Sequence, residues 1–414
     1  MDSNFLFKIL KKIVPKQLKK NAFLRKGLAL MACIFFGFPA KKLTIIGVTG
    51  TTGKTTTAFM IKKILEDSNI PTGLIGTAGY FWKDKDIPII GQGPGTTPDP
   101  FYLNHLLRLM VNQGIKAVVI EVSSFGLMYW RIFGLKFHSA VLTNISYNHH
   151  VALHGSMENY IKEKLKLFQI LSQDALAVLP QNSEYFELFK KNTKAKVSPY
   201  NLEQNKKWGL KLKIPGAFNI LNALAAIAAT SNLDLDKNQV KSSLENIENI
   251  PGRLEFISSN APFRIIIDKA NTPLAFQTII DFIKNELYPQ KTIAVYGTFN
   301  ESPLKEREEL AKLATDFFDL TIITEDDPKN EPPDKGINDF LNFAREHHVA
   351  ENKYLTLVNR RNAIKEALSR AKKGDLVIIL GRGNEKLMFY KNRTESFNDC
   401  EVTREILKEL NYLS

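Results

Sequence analysis

Leu43-Thr-Ile-Ile46, then Gly47-Val-Thr-Gly-Thr-Thr-Gly-Lys-Thr-Thr-Thr57, then Ala58-Phe-Met-Ile-Lys-Lys-Ile-Leu65 is the stretch whose reading decides the fold. The first segment is a β-branched run that predicts a buried parallel strand. The last places apolar residues at helical spacing. Strand, glycine loop and helix together present successive backbone N–H groups and a helix N-terminus to a polyphosphate. In that arrangement Gly50, Thr51, Thr52 and Gly53 form the cradle, and Lys54 reaches the β- and γ-phosphates. Thr55 or Thr56 then offers a hydroxyl to Mg²⁺. The common P-loop carries a glycine five residues before Gly53, where this chain has Val48. The loop is therefore a Thr-Gly-Thr-Thr-Gly-Lys-Thr variant.

Outward from the loop, strand-like runs alternate with helical ones. Leu43–Ile46, Ala117–Glu121, Ser139–Thr143 and Ala175–Leu179 read as strands, and Thr55–Leu65, Phe101–Gln113, Glu158–Leu171 and Ile220–Ala229 as helices. Pro251-Gly252 is a turn signal, followed by candidate strands Phe263–Asp268, Thr292–Tyr296, Leu320–Thr324 and Leu376–Leu380. The proline- and charge-rich segment Asn330–Gly336 reads as a surface loop. The expected fold is α/β: a P-loop-containing doubly wound central domain, residues 43–250, then a smaller Rossmann-like C-terminal domain, residues 251–414. Residues 1–42 form a basic, apolar N-terminal segment. Ligands of such a sheet gather at the carboxyl ends of its strands.

The chain has 414 residues, 44% hydrophobic and 24% charged, an ordinary globular composition. Cys33 and Cys400 are far apart and form no metal-ligand spacing, which fits a reducing, cytoplasmic setting. The net charge of +13 is concentrated at the start of the chain. Lys8, Lys11, Lys12, Lys16, Lys19, Lys20, Arg25, Lys26, Lys41 and Lys42 stand there against Asp2 alone. Among them lies the apolar run Gly27–Pro39, shorter than the roughly 20 residues a bilayer span needs. A cleaved signal peptide fits poorly, because the nucleotide-binding strand begins almost at once. Two readings stay open: a helix packed on the first domain, or a basic amphipathic segment on the inner, anionic face of a membrane. Nucleic acid is not an expected partner, since no clustered basic-aromatic face follows. The chain is read as a monomer.

Further segments follow in order. They are Gly95-Thr-Thr-Pro98, Glu121-Val-Ser-Ser124, Thr143-Asn-Ile-Ser146 with His149, and Tyr160-Ile-Lys-Glu-Lys164 with Leu167-Phe168. Then come Gly216-Ala-Phe-Asn219 with Asn222, Pro251-Gly-Arg-Leu-Glu255, Asp268 with Thr272-Pro273, Asp326-Asp-Pro-Lys329 and Gly381-Arg-Gly-Asn-Glu385. This series resembles the Mur ligases, ATP-dependent amide-bond-forming enzymes of cell-wall precursor synthesis. Among them it looks most like the muramyl-tripeptide synthetases, which add a diamino acid to a muramoyl-L-Ala-D-Glu acceptor. The resemblance runs from residue 43 to residue 414.

Amide formation from a carboxylate needs activation, which ATP supplies as an acyl phosphate, stabilised by Mg²⁺, a P-loop lysine and backbone N–H groups. Glu121, at the carboxyl end of a strand, suits an oxygen donor to Mg²⁺, against the plainer reading of a capping or surface glutamate. The resemblance implies that His149 contacts metal, with His150 a neighbour that blurs the register. It implies that Lys164 is carbamylated and helps to hold Mg²⁺. Spacing alone makes Lys162, Lys164 and Lys166 the solvated face of a helix. By the same resemblance Asn222 and Arg253 match nucleotide-binding positions, and Thr96, Thr97, Ser123 and Arg131 match positions that bind the UDP-muramyl dipeptide. Arg307, Asp326, Asp327, Lys329, Gly381 and Glu385 match the site of the incoming diamino acid. Carboxylates for a distal ammonium beside cations for a carboxylate are what a two-ended zwitterion requires.

The chain departs from the family pattern at several places. Phe125 replaces a histidine, Tyr129 a glutamine, and Tyr147-Asn148 an Arg-Asp pair. Asp268-Lys-Ala-Asn-Thr-Pro273, Thr298-Phe-Asn-Glu-Ser302 and Gly381-Arg-Gly-Asn-Glu385 are altered motifs that bear on the ATP contacts of the second domain. Lys329 stands where diaminopimelate-specific enzymes carry arginine, keeping the charge and losing the bidentate fork. The amine expected is meso-diaminopimelate rather than L-lysine. Residues 1–42 are too few for the family's uridine-binding domain, given a domain minimum of about 50 residues. The acceptor is then expected to be held differently or to be lipid-linked. The rival expectations are a related ligase on another carboxylate, such as a poly-amino acid, and a non-catalytic scaffold that binds nucleotide or precursor.

Overall fold

The computed structural model describes residues 21–82, 85–87, 96–147, 149–298 and 302–413, with the backbone alone at 85–87, 149, 150 and 152. The chain divides into two compact units, the first ending at Ile247 and the second beginning at Glu248.

Unit 1 opens with helix α1, Ala22–Phe35, N-capped by the Asn21 side chain. Ala29, Ala32 and Cys33 make its buried face. Residues this small let it lie close against the rest of the unit. Strand β1, Thr44–Thr49, is buried from Ile45 onward because it has neighbours on both edges. It pairs in parallel with β5, Ala117–Glu121, and with β6, Ser139–Leu142. A strand covered on both faces reads as a continuous apolar run, which is why its sequence is legible.

The remaining strands are β2, Thr72–Gly76; β3, Gly79–Trp82; β4, Lys85–Ile87; β7, Leu176–Pro180; and β8, Lys196–Tyr200. The sheet order is β4-β3-β2-β5-β1-β6-β7-β8. Only β3 and β4 run antiparallel to their neighbours. The sequence pattern marks β1, β5, β6 and β7 and does not mark the other strands. Two glycines thin the apolar signal of β2. Pro199 and Lys196 obscure β8, and an edge strand tolerates both. Helices α2, Lys54–Asp67, and α3, Pro100–Asn112, cover the sheet, α3 capped by Asp99 with Pro100 as its first residue.

Unit 2 is a second sheet in the order β13-β12-β11-β14-β10-β9. Its strands are β9, Glu255–Phe256; β10, Arg264–Asp268; β11, Thr292–Gly297; β12, Leu320–Thr324; β13, Tyr354–Thr356; and β14, Leu376–Leu380. All but β9 are parallel. Ile265, Ile267, Val295, Ile322, Val377 and Ile379 fill its core. Each such side chain contributes about 1.5–3 kcal/mol on burial. The very short β9 and β13 leave no sequence signal for want of length. The segment read as a loop at Asn330–Gly336 does carry exposed residues, but a helix begins within it at Lys335.

Among the described residues no helix is long and apolar enough to cross a membrane. Both cysteines are buried and unbridged.

Candidate active site

β1 ends at Thr49, and the loop Gly50–Gly53 carries the chain into α2. Gly50 has φ 150° and Gly53 φ 78°. A Cβ at Gly50 would lie 1.8 Å from Thr143 Oγ1, and one at Gly53 2.6 Å from Asn222 Oδ1. Both positions therefore need glycine for space as well as for conformation. The loop is held open by its neighbours. Thr51 N donates to Asn144 O at 3.0 Å, and Thr52 N to Asn144 Oδ1 at 3.0 Å. Thr143 Oγ1 donates to Thr52 O at 2.6 Å, and Asn144 Nδ2 to Thr52 Oγ1 at 2.8 Å. Tyr160 Oη lies 3.2 Å from Thr51 Oγ1. Asn222, on the helix Ala217–Ala229, accepts from Thr57 Oγ1 and sits under the start of α2.

Two lysines converge on one carbonyl. Lys54 Nζ donates to Gly50 O at 3.0 Å and to Thr51 O at 2.9 Å. Lys164 Nζ donates to the same Gly50 O at 2.8 Å. Lys164 lies on the helix Met157–Gln169 and is 1% exposed, whereas Lys162 beside it is exposed. The solvated-face reading therefore fails at Lys164: the buried stripe of Tyr160, Ile161, Lys164, Leu165 and Phe168 turns it inward. Burial lowers its pKa to about 7, because the charged ammonium has lost its water.

Glu121, at the end of β5, is wholly buried. It accepts from Thr55 Oγ1, Thr77 N and Thr77 Oγ1, each at 3.1 Å. A surface or capping role is thereby excluded, and Thr55 and Glu121 form one oxygen pair at the head of α2. Thr56 is also buried. The backbone of His149 opens the short helix His149–His154. The side chain of His149 lies outside the described residues.

The residues read as the acceptor site come together beside Glu121. Arg131 Nη1 donates to Thr97 O at 2.6 Å, and Thr97 Oγ1 lies 3.2 Å from Ser123 Oγ. Thr96 Oγ1 lies 3.0 Å from Thr77 Oγ1. Thr97 is 0% exposed, with its hydroxyl donating to Glu121 O and accepting from Ser123 N, both at 2.9 Å. These bonds tie it to Ser123 and to the end of β5. Arg131 is lowered in pKa mainly by burial, against which Asp99 acts.

In unit 2 the acids expected to meet a diamino acid surround a buried arginine that the motif reading does not single out. Arg382 is 0% exposed and donates through Nη1 to Asp326 at 3.0 Å and to Asp327 at 2.7 Å. Desolvation raises the Asp326 pKa to about 7, with the nearby Arg382 pulling the other way. Gly381 has φ 114°, and a Cβ there would come 2.6 Å from Asp326 Oδ2. Asp327 and Lys329 both occupy the left-handed region, φ 43° and 49°. Such strain costs on the order of 1–3 kcal/mol each and gathers at functional sites. Glu385 accepts from Lys269. Burial would raise Glu385, but Lys269 and Arg382 hold it below the ordinary carboxylate range. Arg253 adds to the same field around Glu385 and Asp268.

Arg307 is the residue that does not join this cluster directly. Its guanidinium is bound to Asp339 at 2.5 Å, Glu331 at 3.1 Å and Ser302 O at 3.0 Å. Glu331 lines a cleft with Asp326, Glu325, Thr298 and Lys335, so Arg307 borders that cleft through its partner. Lys269 and Arg382 are the cations of this cluster that sequence reasoning does not single out. Their signal is present, since each sits inside a motif counted only as altered.

Unit 1 is thus a P-loop nucleotide-binding unit with an acid–hydroxyl pair and two lysines at the loop, in a chain whose second unit holds a buried cluster of opposed charges. The chain belongs to the Mur ligase family: the family model of the Mur ligase middle domain matches residues 48–210, and that of the Mur ligase, glutamate ligase domain matches residues 252–383. It is 33% identical over 413 residues to the UDP-N-acetylmuramoyl-L-alanyl-D-glutamate–2,6-diaminopimelate ligase of Clostridium perfringens, covering 93% of this chain and 82% of that one. A solved structure of a ligase of the same name superposes with a TM-score of 0.60 at 24% identity, over 96% of this chain and 84% of the other. A folylpolyglutamate synthase of Mycobacterium tuberculosis, solved with ADP and AMPPCP, superposes with a TM-score of 0.68 at 16% identity, over 86% and 92%. These two superpositions speak to the fold.

Proposed function

We propose that this protein is a cytoplasmic, ATP- and Mg²⁺-dependent ligase that adds meso-diaminopimelate to a muramoyl-L-Ala-D-Glu acceptor. The observation that carries the reading is the meeting of Lys54 and Lys164 on Gly50 O beside the Thr55–Glu121 pair. The glycine cradle, with no room for a Cβ at Gly50 or Gly53, suits a polyphosphate. Among the described residues no group of three or more His, Cys, Asp or Glu could cage a metal. A hydroxyl with one carboxylate instead suits Mg²⁺, which keeps several waters and takes its remaining ligands from phosphate. When bound, Mg²⁺ would offset the negative charge gathered on the phosphate oxygens.

The residues divide the work as follows. Loop N–H groups and Lys54 hold the phosphates, Lys54 leaving its carbonyl contacts to do so. Thr55 and Glu121 supply the oxygen donors for Mg²⁺, with His149 as a further contact. Asn222, under the start of α2, completes the nucleotide contacts of unit 1. Lys164, with its pKa near 7, is largely neutral above that pH, and the neutral amine is the form that attacks CO₂. The nitrogen loses a proton as the carbon–nitrogen bond forms, leaving a carbamate anion, as suits a metal-holding group. Ser123, Arg131 and Thr96 orient the acceptor, whose γ-carboxylate takes the γ-phosphoryl group and releases ADP. The amine nitrogen then attacks the acyl carbon, phosphate leaves and the nitrogen loses a proton. Asp326, Asp327, Glu385, Lys329 and Arg307, with Gly381 giving space, serve the two charged ends of the diamino acid. Lys329 provides a cation for the distal carboxylate, which favours meso-diaminopimelate over L-lysine.

The test is ADP release from ATP and Mg²⁺ with UDP-MurNAc-L-Ala-D-Glu and either amine. Release is expected only when acceptor and amine are both present, higher with meso-diaminopimelate, and lost in Lys164→Ala. Nucleotide binding without any stimulated release would leave a scaffold and defeat the ligase reading.

A further inference from the structure

Helix α1 turns its small residues inward and its large apolar ones outward. Ala29, Ala32 and Cys33 face unit 1, whereas Phe23 is 86% exposed, Met31 53%, Ile34 58% and Phe35 57%. Positions 23, 27, 31 and 34 fall on one side of a helix of period 3.6. Among the described residues, a Cβ at Gly27 would meet nothing within 4 Å, so the row is open there. Single exposed apolar residues are ordinary, but an aligned row of them is an interaction surface.

The cations of the helix are turned toward the protein. Arg25 lies 4.1 Å over the Tyr129 ring and donates to Met128 O at 3.2 Å, and Lys26 lies 4.0 Å over the Trp130 ring. Among the described residues, the apolar row of the helix is thus left free of its own cations. In sequence it also adjoins the lysine-rich residues 8–20, with Asp2 the only acid before residue 43. A second copy on this face would bring two strongly basic segments together. An anionic surface would neutralise them. Charge therefore selects lipid over self-association.

We propose that the outer face of α1 docks on an anionic lipid bilayer, with Phe23, Met31, Ile34 and Phe35 in the acyl boundary and the basic sequence before the helix supplying the attraction to anionic headgroups. Fourteen residues are too few to cross, so the helix lies in the plane of the interface. Its inner face grips Met128–Phe133, the segment that carries Arg131, so docking brings the acceptor-binding loop to the lipid surface.

The experiment is co-sedimentation of the full chain with phosphatidylglycerol-containing and with pure phosphatidylcholine vesicles, which requires no catalysis and so stands apart from the ligase assay. Binding is expected to the anionic vesicles alone, weakening with salt. The variant Phe23→Ser/Met31→Ser/Ile34→Ser is expected to bind at least about tenfold more weakly. Its circular dichroism and ATP binding are expected to match those of the parent. Replacing the six lysines of residues 8–20 by glutamine is expected to weaken binding without touching α1. Absence of binding at low salt, or equal binding by the serine variant, overturns the proposal. So does a parent dimer that the serine variant converts to monomer, since the face would then belong to a second copy.

Discussion

Replacing Lys164 by methionine should stabilise unit 1 while abolishing ligation. The side chain is 1% exposed, and its amine is pushed from an ordinary 10.5 to about 7 by loss of hydration. Each pH unit between those two values is worth about 1.4 kcal/mol, so an ammonium held there costs on the order of 5 kcal/mol at low pH. Between the folded and unfolded values the folded chain carries fewer protons than the unfolded one, so stability rises with pH in that window. The penalty is fully present below about pH 7 and is lost as pH climbs toward 10.5. It amounts to about 4 kcal/mol at about pH 7 and about 3 kcal/mol at about pH 8.5. Methionine has similar volume and no charge. It gives up the hydrogen bond to Gly50 O, worth about 1 kcal/mol. The variant should therefore exceed the parent by about 3–4 kcal/mol near about pH 6 and by about 2 kcal/mol near about pH 8.5. Trp82, Trp130 and Trp208 all lie in unit 1, so urea unfolding followed by fluorescence in CO₂-free buffer reads this unit. A difference that is the same at both pH values, or a less stable variant, would refute a lowered lysine pKa as the origin.

Two further outcomes follow from the geometry. Glu121→Gln keeps the shape and one acceptor oxygen but removes the anion; kcat should fall by about a hundredfold or more, and the Mg²⁺ concentration for half-maximal ADP release should rise. An unchanged Mg²⁺ requirement would remove Glu121 from the metal. Arg360 in unit 2 binds Asp399 through both its Nε and Nη2 at 2.8 Å, with both side chains fully buried. Arg360→Ala should destabilise unit 2 by about 3–5 kcal/mol, seen as earlier hydrogen exchange of β12 and β14, and a loss under about 1 kcal/mol would contradict it.

The P-loop and the parallel strands β1, β5, β6, β11, β12, β10 and β14 are legible in the sequence because each is a continuous apolar run bounded by turn residues. Local spacing carries that information. The inner strand β2 and the edge strand β8 are not, since Gly73 and Gly76 stand where a Cβ would meet Met110 and Glu121, and proline with lysine in β8 is tolerated by its place at the sheet edge rather than by propensity. At the site, the residue types at positions 50–56, 121 and 164 are readable from motifs, yet motifs cannot say what surrounds them. Spacing puts Lys164 in water; only packing of the helix Met157–Gln169 buries it against Gly50 O.

Likewise Thr97 is buried with its hydroxyl bonded to Ser123, and Arg382, which occupies an altered motif position, lies between Asp326 and Asp327. The chain by itself determined which chemical groups are present and which strand–loop–helix unit carries them, because backbone conformation follows from neighbours in sequence. The tertiary structure alone decided which of those groups lose their water and which charges face one another. Desolvation and pairing depend on residues far apart in the chain, and they set the lysine near pH 7 and leave the outer face of α1 uncovered.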